Sequence, residues 1–368
     1  LNFLRSRFPG AGVPMRILLA NPRGFCAGVY MAIDVVEQLL DVVDGEPIYV
    51  FHEIVHNKHV VQRFINRGVT FVESIADVPE GAILVFSAHG VSPEVRMRAQ
   101  ERCLIAIDAT CPLVTKVHAE AIRYAARGWQ ILLIGHENHQ EIIGTRGEVP
   151  ESIQIVDSVE AIDSLQIDDS DKLIYLTQTT LSMDDASVII RALKDAYPNI
   201  HEPPSDDICY ATTNRQLAVR QLAPQCDLVI VVGSRNSSNS QRLRELAEAS
   251  GTRAVLVDDR SELTLPMLDG AKRVLVTAGA SAPEDLVQKL ILYLFKIADG
   301  EVEVEQHDIF HEDIEFGLPG TLKTFMRNRS IDPSGRRITM DNIAATAKFL
   351  TSQNISHRVV DLTVGTSS

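Results

Sequence analysis

The chain has 368 residues, 45% apolar and 23% charged, which is long enough for two or three domains and a sizeable core. Its net charge of −14 argues against a general nucleic-acid or anionic-membrane surface, while leaving room for a local anion site of backbone amides and neutral side chains. No apolar run approaches the ~20 residues of a membrane span. The first 14 residues lack the apolar stretch of a secretion signal, so folding is expected to start at Met15, behind a frayed leader. Five cysteines without such a signal suit unpaired thiols in a reducing cytoplasm.

From Met15 onward, short β-branched runs recur, each stopping at a cluster of small or polar residues. In chain order they read "RILLANPRGFCAG", "AILVFSAHGVS", "LIAIDATCPLV", "QILLIGHENHQEIIG", "KLIYLTQTTLS", "DDICYATTNRQ", "LVIVVGSRNSSNS" and "RVLVTAGASAPE". Helix-like segments lie between them at Ala27–Leu40, Ser92–Arg102, Leu113–Arg127, Met183–Ala196 and Asn239–Ser250. Buried strands alternating with helices predict parallel α/β sheets, whose ligands bind beyond the carboxyl ends of the strands. The polar clusters fall at those ends.

The clusters repeat weakly three times, and the N-terminal "NPRGFC" supplies the cysteine loop that the third unit lacks. This predicts a leader at 1–14, then α/β units at 28–111, at 112–205, and at 15–27 joined with 206–300, followed by a C-terminal segment and tail at 301–368. Each unit offers one cysteine, Cys26, Cys111 or Cys209, in a loop that leaves a strand and opens a helix. There the helix N-terminus favours a thiolate. Cys103 and Cys226 lead into strands and read as small buried hydrophobes. Three thiolates could hold a zinc with an open position or three irons of a 4Fe–4S cluster. Zinc sites usually draw two ligands from one local segment, and none of these cysteines has a near partner, so the cuboidal cluster fits better.

Polar residues surround this centre. "GHENHQEIIG" carries His136, His139 and Glu141, while "SAHG" and "HEIVHN" add His89 and His56. "GSRNSSNS" presents Ser237, Ser238 and Asn239 at a helix start, and "TAGAS" adds Ser281. Hydroxyls, a carboxamide and a helix N-terminus make a phosphate cradle, although the spacing is not that of a P-loop. The set suits a compact anion such as a diphosphate, held without a lysine clamp. Glu141 is the carboxylate in this group, and Thr179 and Thr180 of "TQTTLS" could relay a proton. Beside an anion and thiolates, Glu141 should protonate more readily than usual and serve as a donor.

These motifs, with "DATCPLVTKVH" and "TAGASAP", resemble the 4-hydroxy-3-methylbut-2-enyl diphosphate reductase (LytB) family over about Met15–Pro319. The resemblance implies a trefoil of three pseudo-symmetric α/β domains, with small, mainly parallel sheets, around a central 4Fe–4S cluster. By position, Cys26, Cys111 and Cys209 match the cluster ligands, with the fourth iron open for substrate. His56, His89, His139, Thr179, Ser237, Ser238, Asn239 and Ser281 match the substrate contacts, and Glu141 with Thr179 the proton-relay pair. The implied reaction is reductive dehydroxylation of the allylic diphosphate to isopentenyl and dimethylallyl diphosphates, the last step of the non-mevalonate pathway. A ferredoxin- or flavodoxin-type protein would donate the electrons. The alternative is a non-redox dehydratase built on the same open-iron cluster. The family pattern ends before Leu322–Ser368, which is expected to be a mobile or loosely docked appendage.

Overall fold

The computed structural model describes residues 14–334 and 343–363, so the leader up to residue 13 and tail residues 335–342 and 364–368 lie outside the described residues. The elements begin with β1 (Met15–Asn21), α1 (Ala27–Val42), β2 (Ile48–Phe51), α2 (Lys58–Ile65), β3 (Thr70–Val72), β4 (Ile83–Phe86), α3 (Pro93–Glu101) and β5 (Ile105–Asp108). They continue with α4 (Pro112–Ala125), β6 (Gln130–Ile134), α5 (Gln140–Glu148), β7 (Ile153–Val156), β8 (Leu173–Thr177) and α6 (Met183–Ala196). The remainder holds α7 (Tyr210–Leu222), β9 (Leu228–Val232), α8 (Ser238–Ala249), β10 (Ala254–Val257), β11 (Arg273–Ala278), α9 (Glu284–Ile297), β12 (Val302–Asp308), α10 (Gly320–Asn328), α11 (Ile343–Ser352) and β13 (His357–Asp361).

The strands form three separate sheets, ordered β3-β2-β4-β5, β7-β6-β8 and β10-β9-β11-β1-β12-β13. Every pairing between these strands is parallel. Parallel strands covered on both faces must be apolar on both, which explains runs such as "LVIVV". In the third sheet Ile17, Ile230 and Val274 pack into one core, while Leu18, Val229 and Leu275 pack into another on the opposite face. The second sheet divides in the same way, with Leu132 and Tyr175 on one side and Ile131 and Ile174 on the other. The architecture is an α/β trefoil of three small parallel sheets around one cavity.

β1 lies in the middle of the third sheet, with Ile17 paired to Val274 of β11 and to Val304 of β12. The sequence thus places the first strand beside strands made some 250 residues later. Two expectations need correction. "DDIC" is not the end of a strand: residues 206–209 form a loop, and the only pairing nearby is an isolated bridge between Ile174 and His201. Its two aspartates turn the chain, and Asp207 accepts a hydrogen bond from the Thr177 amide (3.0 Å). The tail, where described, is not loosely docked. α10 buries Leu322, Phe325 and Met326 against the first sheet's core, Leu350 and Ile355 join a core of the third sheet, and β13 pairs with β12. α11 is rich in apolar residues, but which neighbour they bury against depends on α9, where Gln288 donates to Thr346 from some 58 residues earlier. Among the described residues, no helix is long and apolar enough to cross a membrane.

Candidate active site

All three cysteines of the weak repeat are N-cap residues, Cys26 of α1, Cys111 of α4 and Cys209 of α7. An N-cap residue is extended and directs its side chain toward the first amides of the helix. Neither Cys26 nor Cys111 makes a side-chain cap bond, whereas the Cys209 sulfur accepts from the Thr212 amide (3.4 Å) and lies 3.1 Å from Thr212 Oγ1. Cys226 lies outside this group, its sulfur facing Leu222 O, and Cys103 is exposed.

The three sulfurs line one cleft of about 740 Å³ of empty space, part of it open to solvent. The same cleft is lined by His56, His89, His139, Glu141, Thr179, Thr180, Ser237, Ser238, Asn239 and Ser281, so the structure brings every candidate site residue together. His136 is the histidine that turns away, with Nε2 at 2.7 Å from Arg242 Nη2. Sequence reasoning missed Phe316, Tyr210 and Gly28, which also line the cleft. Phe316 belongs to no motif. Gly28 could have been found inside "CAGV" by asking what a side chain would strike: a Cβ there would lie 2.5 Å from Cys111 Sγ and 4.0 Å from Cys26 Sγ.

Burial dominates the electrostatics at the thiol end. It pushes the thiols of Cys26 and Cys111 up, and that of Cys209 up to about 11, with neighbouring cysteines adding to the last two. Such thiols become ligands when a cation supplies the missing charge. Among the described residues, no three His, Cys, Asp or Glu groups are set to hold a single metal ion. One zinc would need its sulfurs about 2.3 Å from a common point. Three soft donors around one cavity fit a multi-iron cluster.

The other end is lined by imidazoles, hydroxyls and a carboxamide. The rings of His56 and His89 stack at 3.9 Å, and His139 meets them edge-on at 5.6 and 6.2 Å. Burial holds His89 well below the usual imidazole range, helped by the neighbouring histidines, and burial also lowers His139. His139 caps α5, its Nδ1 accepting from the Glu141 amide (3.2 Å). The neutral ring therefore carries its proton on Nε2, a donor available to an anion. Ser237 caps α8, Ser238 Oγ donates to Thr180 O (3.0 Å) and Ser281 Oγ to His56 O (2.9 Å). Asn239 is buried with neither side-chain polar atom partnered. A buried amide without partners is costly unless a ligand satisfies it. No lysine or arginine is among the described residues that line the cleft. Between the two ends, Glu141 Oε2 accepts from the amide (3.0 Å) and the hydroxyl (2.9 Å) of Thr179.

Fold and site together define a three-sheet α/β protein with a cleft lined by three thiols, three imidazoles and several hydroxyls. The chain matches the LytB protein family over residues 17–295 and belongs to that family. It is 54% identical over 312 residues to the 4-hydroxy-3-methylbut-2-enyl diphosphate reductase of Rhodopirellula baltica, covering 85% of this chain and 97% of that one. The Nocardia farcinica reductase of the same name is 51% identical over 318 residues, covering 86% and 94%. Among solved structures, the E-1-hydroxy-2-methyl-but-2-enyl-4-diphosphate reductase of Plasmodium falciparum superposes with a TM-score of 0.83 at 41% identity, covering 87% of this chain and all of that one. A second, described as the terminal enzyme of the non-mevalonate pathway, gives a TM-score of 0.55 at 28% identity, covering 77% and 99%.

Proposed function

We propose that the chain reductively dehydroxylates (E)-4-hydroxy-3-methylbut-2-enyl diphosphate to isopentenyl and dimethylallyl diphosphates. One observation carries this: three thiols from three N-caps and a neutral anion cradle share a single cleft, in a chain about half identical to reductases of that name. Cys26, Cys111 and Cys209 would hold a 4Fe–4S cluster, which would supply one-electron reduction and Lewis acidity at the thiol end. A ferredoxin- or flavodoxin-type donor in the cytoplasm fits such one-electron chemistry. The first two sheets would be the cores of units at 28–111 and 112–205, and the third that of 15–27 with 206–300, which β12 and β13 extend beyond residue 300.

The protein's own residues bind, orient and protonate. His139 Nε2, His56, His89, Ser237, Ser238, Asn239 and Ser281 hold the diphosphate, and that remote binding energy fixes the hydroxyl at the thiol end. Val55, Leu113, Val114 and Phe316 narrow the cleft with apolar surface and limit water there. The reaction consumes two electrons and two protons. One proton leaves with the hydroxyl as water, and the other goes to an allylic carbon. Glu141 with Thr179 Oγ1 is the donor path, since the two are hydrogen-bonded and both line the cleft. The names of the relatives favour reduction over the dehydratase alternative. The test is anaerobic protein assayed for iron, sulfide and dithionite-driven consumption of the allylic diphosphate. Turnover without reductant would make it a dehydratase, and loss of substrate binding along with turnover would refute both.

A further inference from the structure

Six residues beyond Cys209, helix α7 carries an arginine with no solvent exposure. Arg215 is the largest of the fully buried side chains. Its Nε and Nη2 donate to the carbonyl of Gly24 at 3.2 and 2.9 Å, two residues before Cys26. Its Nη1 donates to Ala211 O (2.8 Å) in the first turn of α7. Nη1 and Nη2 also reach the two oxygens of Glu312 at 3.0 and 3.3 Å, and Asn214 Nδ2 donates to the same carboxylate at 3.1 Å. Glu312 lies in the segment after β12 that also brings Phe316 to the cleft wall.

A buried ion pair of this kind is a poor device for stability alone, because apolar residues of like volume do as well or better. Its position is more informative. The guanidinium bridges the loop of one cysteine and the helix opened by another, and its carboxylate partner comes from a third segment. We propose that Arg215 and Glu312 are positioning residues that form a charge couple, holding the Cys26 and Cys209 loops together and setting the reduction potential of the metal cluster bound there. The inference rests on the cluster reading given above. Reduction adds negative charge, so a fixed cation nearby favours the reduced state and a fixed carboxylate opposes it. The two charges of the couple therefore act on the potential in opposite directions.

The test compares anaerobically loaded wild type with R215M, R215K, E312Q and R220M, each analysed for iron and sulfide and then titrated electrochemically with EPR detection. Arg220 lies on the same helix but is exposed and paired with Asp184, so R220M controls for loss of a cation in general. R215M should shift the midpoint potential downward and E312Q upward, while R215K, which keeps the charge, stays nearer wild type than R215M. Shifts of opposite sign are what a merely structural role would not produce. If R215M fails to load, E312Q decides alone: an upward shift supports the couple, and an unmoved or lowered potential overturns it. A loaded wild type with unmoved potentials in the variants sinks this inference only. A wild type that never takes up iron and sulfide sinks the cluster reading and this inference with it.

Discussion

The two ends of the cleft are built from the same local device and used in opposite ways. At both, functional side chains sit at helix N-caps after loops, Cys26, Cys111 and Cys209 at one end and His139 and Ser237 at the other. At the polar end the caps are closed: His139 accepts from Glu141 N, and Ser237 from Ser240 N. At the thiol end two of the three caps are open, and all three thiols are pushed up by burial. The polar end is thus preorganised by the fold, with Asn239 as its one wholly unpartnered side chain. The thiol end is completed by whatever it binds. Changes at the first should tune affinity, whereas changes at the second should remove a component.

The largest expected effect tests that division directly. Serine at Cys26, Cys111 or Cys209 should abolish cluster absorbance and turnover, while Cys103→Ser and Cys226→Ser should keep both. Equal losses in the two sets would erase the distinction. Next comes Glu141→Gln, which keeps the shape but loses the dissociable proton. Turnover should fall by ~10²–10⁴, the usual worth of a general acid, with iron content intact. Turnover within threefold of wild type would remove Glu141 from the proton path.

Asn239→Ala separates binding from stability. Losing a hydrogen bond to a charged group costs about 1.5–3 kcal/mol, so KM should rise about 10- to 100-fold. The melting temperature without substrate should hold or rise, because the amide it removes is buried and unpaired. A drop of several degrees would instead make Asn239 structural.

A smaller effect concerns pH. Burial holds folded His89 below its unfolded value of about 6.5, so the unfolded state binds the extra proton first. Stability of the substrate-free protein should fall as pH drops below about 6.5, levelling off only below the folded pKa. His89→Gln should flatten part of that slope, His139 supplying more of it; thermal melts at pH 7.5 and 5.5 read both. The smallest effect lies behind the cleft wall, at a residue that does not line it. Thr346 of α11 donates to Glu284 Oε1 (2.6 Å), which also takes Arg23. Thr346→Ala should cost about 1–3 kcal/mol, seen as a few degrees in Tm, and leave kcat unchanged. A large loss of kcat would tie the tail to the chemistry.

What could be read from the sequence was local. Strand-end clusters such as "SAHG" and "GSRNSSNS" announce themselves because a buried run stops at polar residues, and the cysteines follow from their register. What could not be read depends on partners distant in the chain. Arg215 looks like an ordinary surface cation in "ATTNRQ", and only Gly24 and Glu312, 191 and 97 residues away, reveal it as buried. The docking of α11 and β13 is hidden for the same reason. "DDIC" misled because its cysteine opens a helix as the other strand-end cysteines do, although "HEPPSDD" before it carries no apolar run.

The place of β1 has a consequence for how the protein is made. Cys26 is the first of the three thiols to leave the ribosome, yet its loop is fixed by Gly24 N to Ala278 O and Cys26 N to Ala280 O. At a synthesis rate of about 5–20 residues per second, that thiol waits roughly 13–50 s for its partners to emerge. During that interval it is unshielded from oxidants and from stray metal ions. The first of the three cysteines to be translated is therefore seated only once β11 has been made, and a cluster held as proposed would certify that the chain has been finished past β11.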